Sequence, residues 1–302
     1  MRIGIDLGGT KIEGIVLEGE SRMRACERIA TPQNDFAATV AAIAGLVAKL
    51  EAAVGAKNLR VGAGTPGAIS PATGLMKNCN STCLNGQPLK QDLERRLGRE
   101  IRMANDADCL ALSESFDGAA AGAHSVFAAV LGTGCGGGIV INGQLLSGPN
   151  AIAGEWGHNP LPWPRPEWHE IPGTRCWHGG YGCLETWISG SGLARDHARV
   201  AGEKFSAEEV AQRAGNGDEK AAASMARYED RLARALAQVI NLLDPEVIVL
   251  GGGMSRVQRL YRHVPALWDQ WVFSDRVDTK LLPAKHGDSS GVRGAARLWP
   301  ER

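Results

Sequence analysis

The sequence has no surplus of either charge: 33 Lys and Arg face 33 Asp and Glu across 302 residues. That removes the electrostatic case for nucleic acid or an anionic membrane as the main partner. No run of about 18 apolar residues is present, so no membrane-spanning helix is expected. Residues 1–7 lack the basic start and unbroken apolar stretch of a signal peptide. The even, dense cysteine framework of a secreted scaffold is also missing. Instead seven cysteines are scattered at Cys26, Cys79, Cys83, Cys109, Cys135, Cys176 and Cys183. A reducing cytoplasm is therefore expected. The 44% hydrophobic and 22% charged fractions exclude large-scale disorder. The length predicts about two domains.

What the chain has in quantity is glycine, 39 residues in clusters, which implies tight backbone turns. Arg2 to Leu7 alternates like a strand, Gly8-Gly9-Thr10-Lys11 reads as a turn, and Ile12 to Leu17 returns. Ser125 to Leu131, the turn Gly132 to Gly138, and Ile139 to Ile141 repeat that plan about 120 residues later. The repetition suggests a duplication with one copy per domain. Helical spacing is present over Ala37 to Val54 and Ala221 to Leu243, the second stopped by Asp244-Pro245. Glu246 to Leu250 then reads as a buried strand ahead of Gly251-Gly252-Gly253. Strands mixed with helices indicate an α/β class. The stretch 162–175 holds four prolines and reads as an ordered surface loop.

Two segments match G-x-G-x-x-G literally, Gly62 to Gly67 and Gly132 to Gly137. Neither is followed by a helical pattern, so neither is a dinucleotide fingerprint. Asp6 to Lys11 suits phosphate better. Glycines at a hairpin tip expose backbone N–H groups, Thr10 adds a hydroxyl, Lys11 a cation, and Asp6 a possible Mg²⁺ ligand. A plain hairpin turn is the alternative. Asn105-Asp106 follows a short strand, where Asp106 could act as a general base or simply open a helix. Cys176, His178 and Cys183 lie within eight residues, and His158 could complete four N/S zinc ligands. Free thiols or a Cys176–Cys183 disulfide are the alternatives. Glu155 and Glu185 flank this knot and suit sugar hydroxyls, or are solvated acids.

Taken in order, these residues resemble the ROK family of sugar kinases over essentially the whole chain. The run is Asp6 to Lys11, Asn105-Asp106-Ala107, Gly132-Thr133-Gly134, Glu155-Trp156-Gly157-His158, Gly182 to Glu185 and Leu250 to Gly253. Within the family, segments 153–163 and 285–294 look most like the bacterial fructokinases, also described as mannofructokinases. The resemblance implies an actin-like, ribonuclease H-like two-lobed kinase with ATP and sugar in its cleft. Its small lobe would be 1–118 with 290–302 returning to it; 119–289 would form the large lobe. Asp106 would match the catalytic base. Gly67, Asn80, Asn105, Glu155, His158 and Glu185 would match the sugar ligands. Gly8, Gly9, Thr10, Lys11, Gly132, Thr133, Gly134, Gly251 and Gly252 would match the ATP loops. Zinc would sit on His158, Cys176, His178 and Cys183, and magnesium near Asp6.

The expected reaction is ATP-dependent phosphorylation of a hexose 6-hydroxyl, with fructose first and mannose, glucose or N-acetylglucosamine as alternatives. A sugar-responsive regulator is the remote alternative, because such relatives carry a helix-turn-helix before the phosphate loop, which here begins at residue 6. A cytoplasmic homodimer is expected by analogy. Two departures stand out. His178 replaces the middle cysteine of the usual zinc knot, and Cys83 stands where the small-lobe loop often has Trp.

Overall fold

The computed structural model describes residues 1–300. The chain opens with β1 (Arg2–Leu7), β2 (Lys11–Glu18), β3 (Arg22–Ala30), α1 (Phe36–Ala53) and β4 (Arg60–Thr65). A two-stranded ribbon follows, β5 (Ala68–Ile69) and β6 (Met76–Lys77), then α2 (Leu89–Leu97), β7 (Ile101–Asn105) and α3 (Asp106–Phe116). Next come β8 (Ser125–Leu131), β9 (Cys135–Ile141) and β10 (Gln144–Leu145). The remainder is α4 (Glu185–Ile188), α5 (Gly190–Ala201), α6 (Ala207–Gly215), α7 (Glu219–Leu243), β11 (Val247–Gly251), α8 (Leu260–His263), β12 (Lys280–Pro283) and α9 (Ser290–Arg297).

Two five-stranded sheets result, ordered β3-β2-β1-β4-β7 and β10-β9-β8-β11-β12. Their parallel orders match: β4 lies parallel to β1 and β7 to β4, as β11 lies parallel to β8 and β12 to β11. Residues 1–122, 138–153 and 288–300 form one compact unit; 123–137 and 154–287 form the other. The division differs from the expected lobes mainly in Gly138–Ala153, which clusters with the first unit. Gly138 has no Cβ, and one there would stand 2.6 Å from the Ala107 carbonyl of α3. Residues 301–302 of the expected returning segment lie outside the described residues.

In the first unit, close approach of helix to sheet is set by absent side chains. A Cβ on Gly4 would fall 2.0 Å from the Val292 carbonyl, and one on Gly62 1.9 Å from the Ala295 carbonyl. The α9 backbone therefore rests directly on β1 and β4. The literal G-x-G-x-x-G at Gly62 is thus a strand interior under a helix. On the sheet's other side α1 buries Val40, Ile43, Leu46, Val47 and Leu50, the stripe its spacing implies. Asp35 caps it by accepting the Ala38 N–H at 2.9 Å. By length and composition α1 is apolar enough to cross a membrane, which corrects the sequence-based exclusion; here its apolar stripe is in the core.

The second glycine turn is shorter than expected. β9 begins at Cys135, so Gly136, Gly137 and Gly138 are strand residues. Gly137 packs where a Cβ would meet the Gly154 carbonyl at 2.7 Å. In α7, Met225, Leu232, Leu236 and Ile240 are buried as expected, but so are Arg231 and Arg234. Their partner is Glu170 of the proline-rich loop, with Arg231 Nε and Arg234 Nη2 at 2.7 and 3.0 Å from its Oε1. Burial would raise the Glu170 carboxyl, yet bonds from Arg234, the Arg165 N–H and Arg231 hold it below its ordinary range. This buried ion cluster keeps the 162–175 loop ordered.

Candidate active site

The β1–β2 hairpin folds as its glycines imply. The Gly8 N–H donates to the Lys11 carbonyl at 3.0 Å, and Thr31 Oγ1 donates to the Gly8 carbonyl at 2.7 Å. The turn therefore consumes the Gly8 amide, which corrects the picture of both glycine amides facing outward. Gly9 and Thr10 form the exposed tip. Lys11 is half-buried, its Nζ 3.9 Å from the buried Glu13. Asp6 is the penultimate residue of β1, in register with Glu13 on one side and Gly64 on the other. Burial, then the charges of Asp106 and Glu13, push its carboxyl up to about 7 against the pull of Lys11. A carboxyl this costly to ionise suits a cation, whose charge would reverse the balance.

Asp106 is the first residue of α3 and is exposed. Both acceptors at this helix start converge on one donor. The Ala107 N–H reaches Asn105 Oδ1 at 2.9 Å and Asp106 Oδ1 at 2.7 Å. Asn105 is thus the N-cap, and its Nδ2 donates to the Gly67 carbonyl at 3.4 Å. Gly67 has φ +93°, and a Cβ there would lie 2.4 Å from the Lys77 carbonyl. Asn80 is exposed in the loop after β6. That loop is braced by Asn85, which sequence reasoning missed: its Oδ1 accepts the Cys79 N–H at 2.8 Å and its Nδ2 donates back to the Cys79 carbonyl at 3.1 Å. A Cβ on Gly9 would stand 3.8 Å from Ser81 Oγ, so this loop adjoins the β1–β2 hairpin.

In the second unit, His158, Cys176, His178 and Cys183 bring one donor atom each to within 4.8 Å of one another. Cys176 Sγ lies 3.7 Å from His158 Nδ1, and Cys183 Sγ 3.8 Å from His178 Nδ1. Tetrahedral zinc with arms of about 2.3 Å to sulfur and about 2.05 Å to nitrogen sets these pairs about 3.6 Å apart, so the residues fit the ion. All seven cysteines are free, which removes the Cys176–Cys183 disulfide alternative. His158 turns Nδ1 to this cluster and leaves Nε2 for another partner. Glu155 is half-buried one turn before it. Glu185 opens α4, its Oε2 accepting the Cys135 N–H and its Oε1 the Trp177 indole N–H, both at 3.0 Å. Neither Trp177 nor the Cys135 amide carries a motif that would have flagged it.

The second unit also holds a cavity of about 700 Å³, a size that suits a small-molecule ligand. Gly132 and Thr133 line it, with Ser191, Glu208, Gln212 and Met254. Gly251 ends β11 opposite Val130, and Gly252 follows at φ +75°, where a Cβ would meet the Leu131 carbonyl at 2.6 Å. The two glycine loops of this unit therefore touch. Gly134 is not among the residues that line the cavity, and a Cβ there would stand 2.7 Å from Glu185 Oε2. The α6 wall was not anticipated, although Ser206-x-x-Glu209 is a capping box that announces it: Glu209 N–H to Ser206 Oγ is 3.2 Å and Ser206 N–H to Glu209 Oε2 is 2.7 Å.

Over residues 2–302 the sequence matches the ROK family. It is 39% identical over 302 residues to the N-acetyl-D-glucosamine kinase of Vibrio cholerae, covering 99% of both chains. It is 38% identical over 307 residues to that of Pasteurella multocida, with the same coverage. Among solved structures, the ROK hexokinase from Thermus thermophilus superposes with a TM-score of 0.87 at 29% identity, covering 98% and 97% of the chains. The ROK family glucokinase from Streptomyces griseus, solved with glucose and AMPPNP, gives 0.77 at 30% identity, covering 98% of each. These relatives do not carry the expected nearness to fructokinases.

Proposed function

The chain belongs to the ROK family and is a sugar kinase, and from that premise we propose that it transfers the γ-phosphoryl group of ATP to the 6-hydroxyl of a hexose through Asp106. The supporting observation is the start of α3, where an exposed carboxylate is oriented by the Ala107 N–H beside an asparagine tied to Gly67. Asp106 accepts the 6-hydroxyl proton as O6 bonds to the γ-phosphorus. The bond from that phosphorus to the β-bridging oxygen breaks, and its electron pair leaves with ADP. Asn105 and Asn80 hold hydroxyls, with the Gly67 turn setting the wall beside them.

Glu155, Glu185 and His158 Nε2 take further hydroxyls in this reading. Gly9, Thr10 and Lys11 receive phosphate oxygens, as do Gly132 and Thr133. The cavity beside Gly252 receives the adenosine. Asp6 is the residue that would hold Mg²⁺, which offsets phosphate charge when bound. His158, Cys176, His178 and Cys183 would hold a structural zinc that stiffens the turn leading to Glu185. A homodimer in the cytoplasm completes the proposal, its assembly checked by sedimentation.

We assign D-fructose as the first substrate, on the likeness of segments 153–163 and 285–294 to the fructokinases. N-acetyl-D-glucosamine is the second reading, favoured by the 39% identity of the Vibrio cholerae enzyme. ADP release measured with fructose, mannose, glucose and N-acetylglucosamine separates them. The highest kcat/KM with fructose supports the first reading. The highest with N-acetylglucosamine replaces it by the second, and no turnover with any hexose overturns both.

A further inference from the structure

Trp177 stands between two cluster residues, Cys176 and His178, and its ring meets the His178 imidazole edge-on, centroids 6.3 Å apart at 79°. It is 63% exposed, and its indole N–H donates to Glu185 Oε1 at 3.0 Å. The ring also meets the His158 imidazole edge-on, centroids 5.3 Å apart at 86°. One side chain thus touches two groups assigned above to the hexose. The other Glu185 oxygen is fixed by the Cys135 N–H at 3.0 Å, in space that only a glycine at 134 leaves open.

We propose that Trp177 is a positioning residue for the hexose, holding Glu185 by its N–H and His158 by its ring edge. The inference rests on the reading of Glu185 and His158 as hexose ligands. A carboxylate has about four acceptor directions, and its terminal torsion is broad when nothing holds it. With Oε1 bound to Trp177 and Oε2 to Cys135, the rotation is set and the unused lone pairs keep fixed directions for sugar hydroxyls. Donation to a carboxylate is charge-assisted and directional, so the indole is an effective clamp. Its exposure means that replacement removes little buried surface.

The test is Trp177→Phe, which keeps an aromatic ring and deletes the N–H, read against Glu185→Gln and the double variant. We expect the hexose KM to rise about tenfold in Trp177→Phe, as for loss of a hydrogen bond to a charged group. We expect kcat and the ATP KM to stay within about twofold, and zinc per chain to be unchanged. The double variant should be no worse than Glu185→Gln alone, because both changes disable one carboxylate. An unchanged hexose KM in Trp177→Phe while Glu185→Gln raises it overturns the inference alone. Losses that multiply in the double variant, or loss of zinc in Trp177→Phe, overturn it as well. An unchanged KM in Glu185→Gln itself overturns the ligand reading, and the inference falls with it.

Discussion

The side-chain amide of Asn105 donates to the carbonyl of Gly67, across 3.4 Å, while its oxygen caps the helix that begins with Asp106. One residue therefore ties the helix that starts at Asp106 to a turn that only glycine fits. That tie fixes where Asp106 stands relative to the Gly67 turn.

Asp106→Asn keeps the side-chain shape and removes proton acceptance. Turnover should fall by about 10³-fold, within the range for a lost general base, with sugar affinity changed by less than about threefold. Steady-state kinetics and calorimetric titration of the hexose check both halves. Near-normal turnover would remove Asp106 from its role.

Gly67→Ala places a side chain at φ +93° with its Cβ 2.4 Å from the Lys77 carbonyl. The left-handed backbone and the clash together should cost about 2 kcal/mol or more in a denaturant titration. Because the turn receives Asn105 Nδ2, the hexose KM should rise as well. A stable variant with an unchanged KM would show that this turn is not part of the sugar wall.

Cys183→Ser removes one of four donors from the His158, Cys176, His178 cluster. Zinc measured by mass spectrometry should fall from about one per chain to near zero, as loss of one ligand of a structural site predicts. The hexose KM should rise, since Glu185 lies two residues further on. Full activity from a native protein free of zinc would contradict the link.

Glu170 is held below its ordinary value of 4.5 by Arg234, Arg165 and Arg231 despite burial that acts the other way. A depressed carboxyl contributes stability that is fully present above its unfolded value and lost as pH falls through its folded one. Wild-type protein should therefore lose stability steeply below about pH 4.5, in part through this group. Glu170→Gln should start less stable at pH 7, by about 3 kcal/mol, because it leaves buried guanidinium charge uncompensated. Its stability should then depend less on pH over the acid range. Urea midpoints at a series of pH values decide it, and parallel curves for the two proteins would refute the assignment.

The β1–β2 hairpin and the start of α3 were legible because hairpin glycines and an Asn-Asp at a strand end are local signals. The stripe of α1 was equally plain. The α6 wall of the cavity was not, because Glu208 and Gln212 are ordinary helix-surface residues whose value comes from what folds against them. The edge strand β3 was missed since Arg22–Ala30 is mostly exposed and its alternation of Met23, Ala25 and Ile29 is broken by Glu27. Arg231 and Arg234 carry no local signal of burial, because the carboxylate they pair with, Glu170, lies over sixty residues earlier. The Trp177–Glu185 bond spans only eight residues, but nothing in the spacing says that an indole between two metal-type donors turns toward the acid. The glycines at 136–138 looked like more turn and proved to be strand, because close packing, as well as bending, selects for glycine.

The most direct measurement is phosphorus NMR of the product formed from ATP, magnesium and each hexose, with wild-type protein and with Asp106→Asn. The account predicts a hexose 6-phosphate from the wild type, greatest with fructose, and about a thousandfold less from the variant over the same time. Absence of sugar phosphate with every hexose, or equal yields from the two proteins, would contradict it.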